Sequence, residues 1–147
     1  MDTSSEDKRL RELVRLLERK LGLLEDAGLS CCPVSFAQCH ALIEIGRAGN
    51  ISLIDLAVKL NLDNSTMSRT VNNLVNSSLA ERETDPLDRR YVTIKLTEEG
   101  RNQFAAIEDS MGSYYSRIYQ NLPEAKRAQV LESIDLLINA MEDGDCC

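Results

Sequence analysis

Short polar side chains between positions 64 and 76 are the first candidates for contact with a ligand. At 100° per residue, Met67, Val71, Leu74 and Val75 fall on one helical face and the polar residues fall on the opposite face. Asn, Ser and Thr are mediocre helix formers, so a surface rich in them gives up helix stability for short hydrogen-bonding groups. Such groups suit DNA phosphates and base edges, and an ordinary solvated helix face is the alternative. The polar face comprises Ser65, Arg69, Asn72, Asn73 and Asn76, with Thr66 and Ser68 beside it.

Charged side chains at positions 88–90 form the second candidate. Asp88 and Arg90 lie two positions apart in a segment predicted to be extended, so we expect the Asp88 carboxylate to support the Arg90 guanidinium from the same side. A supported arginine suits a narrow minor groove, whose negative potential attracts it and where it loses little further side-chain entropy. Arg89 is expected to face the other way, toward a phosphate or solvent. The alternative is a surface ion pair, which contributes only about 0–1 kcal/mol.

Thiols form the third candidate. A set of three thiolates favours soft ions such as a trivalent metalloid or a heavy metal, and the same thiols could instead pass through a sulfenic acid to a disulfide. Neither Cys-Cys nor Cys-x6-Cys is a zinc signature, and Cys39 packed as a small apolar core residue is the structural alternative. We expect His40 to be a partly exposed helix residue rather than a ligand. The cysteines are Cys31, Cys32 and Cys39, followed by Cys146 and Cys147.

Periodicity and capping signals predict the elements that position these residues. Apolar residues at steps of three and four indicate a helix over 6–28, and the S-x-x-Q sequence at Ser35 is typical of a capping box that opens a second helix. Short helices follow over 53–60 and from Asp63 to about Ser78. Alternation over 91–96, with 79–84 as its mate, then predicts a β-hairpin, and two helices follow Thr97 and Pro123. The order α-α-α-α-β-β-α-α is that of a mainly α, winged helix-turn-helix fold.

Composition limits the class of protein. A length of 147 residues predicts one domain, and 43% hydrophobic with only 4% aromatic residues favours a helical core of Leu, Ile, Val and Ala. The net charge of −7 argues against a nucleic-acid partner, but acidic and basic residues cancel between Asp63 and Leu96. A single histidine, with no phosphate-binding glycine loop, G-x-S-x-G or H-E-x-x-H, leads us to expect no enzyme activity and no required cofactor.

Targeting signals are also missing from the sequence. No stretch approaches the roughly 18 apolar residues of a membrane span, and the N-terminus lacks the regions of a signal peptide. We therefore expect a cytoplasmic protein without a membrane partner. Five cysteines, an odd number, argue against a disulfide framework.

The segment from Asp88 to Gly100 resembles the MarR (multiple antibiotic resistance regulator) family, whose pattern D-x-R-x5-L-T-x-x-G it matches throughout. Residues 60–69 are similar to the turn and recognition helix of that family. The resemblance implies a homodimer that binds pseudo-palindromic operators in double-stranded DNA, usually as a repressor released by a small molecule, oxidant or metal. It places Ser65, Thr66, Ser68 and Arg69 in the major groove and Arg90 in the minor groove, with Asn64 and Asn72 beside them.

The same resemblance divides the chain by role. It implies a DNA-binding lobe over 35–96 and a helical dimerisation region over 6–28 and 98–142, within a single domain of residues 1–147. Three possibilities remain open: a metal, metalloid or oxidant sensed by the cysteines, a small aromatic ligand in a pocket at the dimer junction, and no effector at all. A winged helix that binds another protein is a further alternative, because −7 is an unusual charge for a DNA-binding protein.

Overall fold

The computed structural model describes residues 3–28 and 35–142, and most of them are helical. The predicted mainly α winged-helix fold is confirmed, with one additional short strand. In chain order the elements are α1 (Thr3–Gly28), α2 (Phe36–Ala48), β1 (Ile51–Ser52), α3 (Leu53–Leu60), α4 (Asn64–Asn76), β2 (Ala80–Thr84), β3 (Val92–Leu96), α5 (Glu98–Asn121), a 3₁₀ turn (Glu124–Lys126) and α6 (Arg127–Glu142). The chain divides into two compact units at Ile107 and Glu108, within α5.

Local signals account for the boundaries of the helices in the first unit. Ser35 and Gln38 form the predicted capping box, in which the Gln38 N–H donates to Ser35 Oγ at 3.3 Å and the Ser35 N–H donates to Gln38 Oε1 at 3.1 Å. Ser52 caps α3 by accepting the Asp55 N–H at 3.1 Å. Asn61 ends α3 in the left-handed conformation, at φ 52° and ψ 46°, and so begins the turn into α4.

The core of the first unit lies between α2, α3, α4 and the sheet. The completely buried side chains come from the apolar faces of these elements. The apolar face predicted for α4 is one of these faces. Thr70 is the buried polar residue of that face, and its hydroxyl donates to the Thr66 carbonyl at 3.0 Å. The largest fully buried side chains are Leu42, Ile45, Leu56, Met67, Val71, Leu74 and Ile94.

The sheet has three antiparallel strands in the order β1-β3-β2. The predicted hairpin is present, with Ala80 opposite Leu96 and Thr84 opposite Val92. Alternation along β3 buries Ile94 and Leu96, as predicted from its period of two. Strand β1 was not predicted, because two residues are too few to show alternation and Ser52 already signals a helix start. Ile51 pairs with Ile94, so β3 is the central strand.

A compact junction ties the end of α4 to the start of α5. The Leu79 N–H donates to the Leu74 carbonyl at 2.9 Å, and the Leu79 carbonyl accepts the Thr97 N–H at 3.0 Å. The Thr97 hydroxyl donates to the Ser78 carbonyl at 2.7 Å and accepts the Gly100 N–H at 3.0 Å. A Cβ at Gly100 would overlap the Leu79 carbonyl oxygen, so only glycine fits this approach.

The second unit contains the end of α5, the 3₁₀ turn and α6. Helix α5 runs without interruption through Gly112, and Pro123 precedes the 3₁₀ turn, whereas the sequence predicted it in the first turn of the last helix. Arg127 closes the end of α5, because its guanidinium donates to the carbonyls of Tyr119 at 3.1 Å and Gln120 at 3.2 Å. The same guanidinium lies 5.1 Å from the centre of the Tyr119 ring.

Substituting Gly100 with alanine tests the junction. We expect Gly100→Ala to lower the free energy of unfolding by about 2–3 kcal/mol, because the added methyl group forces the backbone of Leu79 away from α5. Gly112→Ala is the matched control in the same helix, since a Cβ there meets no atom within 4 Å. It should raise the free energy of unfolding by about 0.5–1 kcal/mol. Urea unfolding measures both values, and equal effects of the two substitutions would contradict the proposed close contact.

Candidate nucleic-acid interface

The start of α4 is fixed by the side chain of Asp63. Its Oδ1 accepts the Thr66 N–H at 2.6 Å, and its Oδ2 accepts a hydrogen bond from the Thr66 hydroxyl at 2.8 Å. These bonds, led by the one from the Thr66 backbone, hold the pKa of Asp63 below its ordinary value of 3.8. The carboxylate therefore stays charged at the positive end of the helix.

The predicted polar face of α4 is exposed to solvent. Thr66 and Ser68 are half-buried at its margin. Because Thr66 gives its only hydroxyl proton to Asp63, its oxygen remains available as a hydrogen-bond acceptor. Among the described residues, Arg69 forms no salt bridge, so its guanidinium can bind an external acceptor. The exposed residues of this face are Asn64, Ser65, Arg69, Asn72, Asn73 and Asn76.

The loop between β2 and β3 is organised by two aspartates, and we call residues 85–91 the wing tip. Asp85 Oδ1 accepts the Leu87 N–H at 2.9 Å, and Asp88 Oδ1 accepts the Arg90 N–H at 3.0 Å. Both are turns in which an aspartate bonds the backbone two residues ahead. The loop is closed by the Tyr91 N–H, which donates to the Asp88 carbonyl at 3.0 Å, and by the Asp85 N–H, which donates to the Tyr91 carbonyl at 2.9 Å.

Asp88 supports Arg90, as the sequence analysis expected. The Arg90 side chain donates from Nε to Asp88 Oδ1 at 3.2 Å and from Nη2 to Oδ2 at 3.4 Å. The expected geometry was wrong, because the two residues lie in a turn and not on an extended strand. The same carboxylate binds both the backbone and the side chain of Arg90, so it positions the guanidinium while 91% of the side chain stays exposed.

Lys95, nearer the base of the hairpin, is paired with two glutamates within the sheet. Lys95 Nζ lies 3.8 Å from Glu81 Oε1 and 3.6 Å from Glu83 Oε2. Arg89 is exposed at the wing tip and forms no salt bridge to any residue of the described ranges. The arginines of the hairpin are all exposed: Arg82 lies in β2, and Arg89 and Arg90 lie at the wing tip, where Arg90 is paired with Asp88.

Only one of the predicted sensing residues can be placed. Cys39 lies in α2 and is 3% exposed, as expected of an apolar core residue. Cys31, Cys32, Cys146 and Cys147 lie outside the described residues. Within the part of the chain that the structure describes, no group of three or more His, Cys, Asp and Glu side chains could hold a metal ion. Nor is any helix in this part long and apolar enough to cross a membrane.

The cap of α4 predicts a specific pH dependence. Folding lowers the pKa of Asp63 from its ordinary value of 3.8. The carboxylate therefore stabilises the native state at pH values above 3.8, and this stabilisation is lost as the pH falls through the pKa of the folded state. Asp63→Ala should therefore lower the melting temperature at pH 7, and the difference from the wild type should shrink toward pH 3.

Asp55→Ala is the control for this measurement, because Asp55 is an exposed carboxylate in the first turn of α3 and does not cap it. Circular dichroism melts at both pH values compare the two variants. A difference between Asp63→Ala and the wild type that is unchanged at low pH would contradict a charged cap.

Comparison with known proteins agrees with this geometry. The MarR family model matches residues 34–92. The uncharacterized HTH-type transcriptional regulator YfiV of Bacillus subtilis is 23% identical over 141 residues, which cover 96% of this chain and 88% of the relative. The uncharacterized HTH-type transcriptional regulator YhbI of the same organism is 24% identical over 137 residues, covering 93% of this chain and 88% of that one.

Solved structures give the same result. FabT from Streptococcus pneumoniae, in complex with DNA, superposes with a TM-score of 0.85 at 22% identity, covering 92% of this chain and 97% of the other. A cysteine-to-serine mutant of MarR from E. coli, complexed with operator DNA, has a TM-score of 0.77 at 25% identity, covering 93% and 99% of the two chains. These matches confirm the resemblance to the MarR family that the sequence analysis identified. The relatives are regulators rather than enzymes.

Proposed function

Because the winged-helix lobe of this chain belongs to the MarR family, we propose that the protein is a sequence-specific transcriptional regulator that binds double-stranded DNA as a homodimer. One observation carries this proposal: a helix with an exposed polar face and a wing with a carboxylate-supported arginine are built on the same small lobe. This combination supplies hydrogen-bonding groups for a major groove and a guanidinium for the adjacent minor groove. Known MarR and FabT structures with DNA support it.

Each residue of the interface has a proposed role. Ser65, Ser68 and Arg69 contact bases or phosphates in the major groove, with Asn64 and Asn72 beside them. Thr66 accepts a hydrogen bond there, since its proton is bound to Asp63. Arg90 enters the minor groove, Arg89 contacts a phosphate, and Asp88 is the positioning residue for Arg90. The lobe that carries them is residues 35–96.

The homodimer is supported by apolar side chains that remain exposed on separate helices. Helix α1 exposes Leu10, Leu13 and Leu17, each about half accessible at 49%, 55% and 49%. Within the second unit, α6 has no buried residue and exposes Ile134 and Leu136 among others. Apolar surface of this extent is typical of a protein interface. We propose that residues 6–28 and 98–142 form the dimerisation region, which sets two recognition helices about 34–36 Å apart.

Regulation completes the proposal. The protein acts as a repressor in the cytoplasm, needs no cofactor, and leaves its operator when an effector binds. We propose that Cys31, Cys32 and Cys39, with Cys146 and Cys147, respond to a metal, metalloid or oxidant. Since Cys39 is buried, the reaction must begin at another thiol or require α2 to open. A small aromatic ligand at the dimer junction is the alternative effector.

Loss of the wing and helix arginines tests DNA binding. Duplexes selected by the protein from a random pool serve as probes, and fluorescence anisotropy gives Kd at several salt concentrations. We expect Arg69→Ala and Arg90→Ala each to weaken binding at least tenfold. Adding Asp88→Ala to the Arg90→Ala variant should change Kd little further, because Asp88 acts through Arg90. Arg47→Ala removes the same charge from α2 and should leave Kd within twofold. A protein-binding winged helix would select no duplex at any salt concentration.

Cysteine substitution tests the proposed effector class. Arsenite, cadmium and peroxide should each be added to the complex with the selected duplex, in parallel with phenolic acids. We expect at least one thiol reagent to release the DNA, and the triple variant Cys31→Ser, Cys32→Ser, Cys39→Ser to abolish that release. The double variant Cys146→Ser, Cys147→Ser shows whether the C-terminal pair is needed. If a variant with all five cysteines replaced by serine still releases the DNA in response to these reagents, the thiol hypothesis is wrong, and release by phenolic acids alone would support the aromatic ligand.

A further inference from the structure

An apolar side chain stands at the wing tip, in the middle of its charged residues. Leu87 is 95% exposed, the largest value among the exposed large hydrophobic residues that the structure describes. It lies between Asp85 and Asp88 and three positions before Arg90. We propose that Leu87 is a DNA contact of the wing that packs against deoxyribose carbons of the minor-groove wall while Arg90 occupies the groove. This inference rests on the proposed function.

The backbone of Leu87 is ordered although its side chain touches almost nothing. Its N–H donates to Asp85 Oδ1 at 2.9 Å, and the next turn is closed by the bond from the Tyr91 N–H to the Asp88 carbonyl at 3.0 Å. The Leu87 side chain therefore projects from a tip whose conformation is already set by hydrogen bonds. A preorganised tip loses little backbone entropy when it binds, so burial of the leucine adds directly to affinity.

The surroundings of Leu87 favour a groove over a protein partner. Of the seven residues of the wing tip, four are charged, namely Asp85, Asp88, Arg89 and Arg90, and the other exposed residues beside Leu87 are Pro86 and Tyr91, the latter 57% exposed. A protein interface has a core of several contiguous apolar side chains, which a single fully apolar leucine among four charged residues does not provide. A minor groove has apolar sugar walls between charged phosphate edges, and apolar side chains that enter it are a known mode of binding.

The proposed contact has a signature that separates it from the arginines. A leucine neutralises no phosphate, so a variant without it releases as many counterions on binding DNA as the wild type does. The slope of log Kd against log salt concentration should therefore stay unchanged. Loss of Arg89 reduces that slope if the guanidinium contacts a phosphate. Weaker affinity at constant salt slope therefore distinguishes Leu87 from the wing arginines.

The test compares Leu87→Ser with Leu87→Met on duplexes that the wild type has selected. We expect the serine variant to bind about tenfold more weakly with an unchanged salt slope, since a dimer loses two partly buried leucine side chains. The methionine variant keeps an apolar side chain and should stay within twofold of the wild type. Val58→Ser is the control, because Val58 is an apolar residue of α3 that is 75% exposed and lies outside the wing; its Kd should also stay within twofold.

Shortened duplexes locate the contact. Removing the flanking base pairs beyond the two half-sites should weaken the wild type and leave Leu87→Ser and the wild type equal in Kd. The proposal is overturned if the serine variant and the wild type have equal Kd values on the full duplex. It is also overturned if the serine variant binds the shortened duplex more weakly than the wild type by the same factor as on the full duplex. A change in sedimentation coefficient, which would assign Leu87 to a protein contact, overturns it as well. If the wild type selects no duplex at all, the proposed function fails along with this inference, and that outcome is distinct from the others.

Discussion

The lobe depends on the packing of two short segments, Ser78–Leu79 and Thr97–Gly100. Ser78 takes a left-handed conformation at φ 61°, which turns the chain from α4 into β2. Its carbonyl and that of Leu79 both accept hydrogen bonds from Thr97, at 2.7 and 3.0 Å. Because α5 begins against the same peptide, the end of α4, the base of the wing and the start of α5 are fixed to one another.

This constraint divides the D-x-R-x5-L-T-x-x-G motif, from Asp88 to Gly100, into two parts with separate functions. Leu96, Thr97 and Gly100 form its structural half: a buried side chain, a helix cap and a position where no Cβ fits. Asp88 and Arg90 form the other half at the far end of β3, where they shape the wing tip and leave the guanidinium exposed. The structural half sets where the wing starts, and the other half sets what it presents. A motif spanning both therefore marks a complete wing.

Much of this fold could be predicted from sequence because its signals are local. The capping box at Ser35, the cap at Asp63 and the alternation along β3 each lie within a few residues, and all appear in the structure as expected. The two-residue β1 depends on a partner about 40 positions away in the chain, so no local pattern reveals it. The bond from the Thr66 hydroxyl to Asp63 was likewise not predicted, since it depends on the side-chain geometry of the cap.

The support of Arg90 shows a correct interaction derived from an incorrect geometry. On an extended strand, residues two positions apart share a face, which led to the expected contact between the carboxylate and the guanidinium. The turn brings the same two groups together by another route, because an aspartate in a tight loop accepts a hydrogen bond from the backbone two residues ahead. Side-chain exposure at the tip, including that of Leu87, could not be deduced from residue types. It requires knowing which turn the loop adopts.

Electrostatics reconcile an acidic chain with a DNA partner. The net charge is −7, yet α4 carries a single charged residue, Arg69, and acidic and basic residues balance along the hairpin, where Arg89 and Arg90 stay exposed at the tip. Such a lobe has few positive charges with which to neutralise phosphates, so the proposed interface depends on hydrogen bonds from Asn and Ser and on the wing arginines.

Hydroxyl-radical footprinting on the selected duplex tests the central claim most directly, because it records contact at each sugar along both strands. Two recognition helices related by a twofold axis predict symmetric protection, with half-site centres about 10–10.5 base pairs apart or at a multiple of that spacing. The outer minor-groove protections should disappear in Arg90→Ala while the inner pattern remains. Protection confined to one half-site, or outer protections that persist without Arg90, would contradict the account.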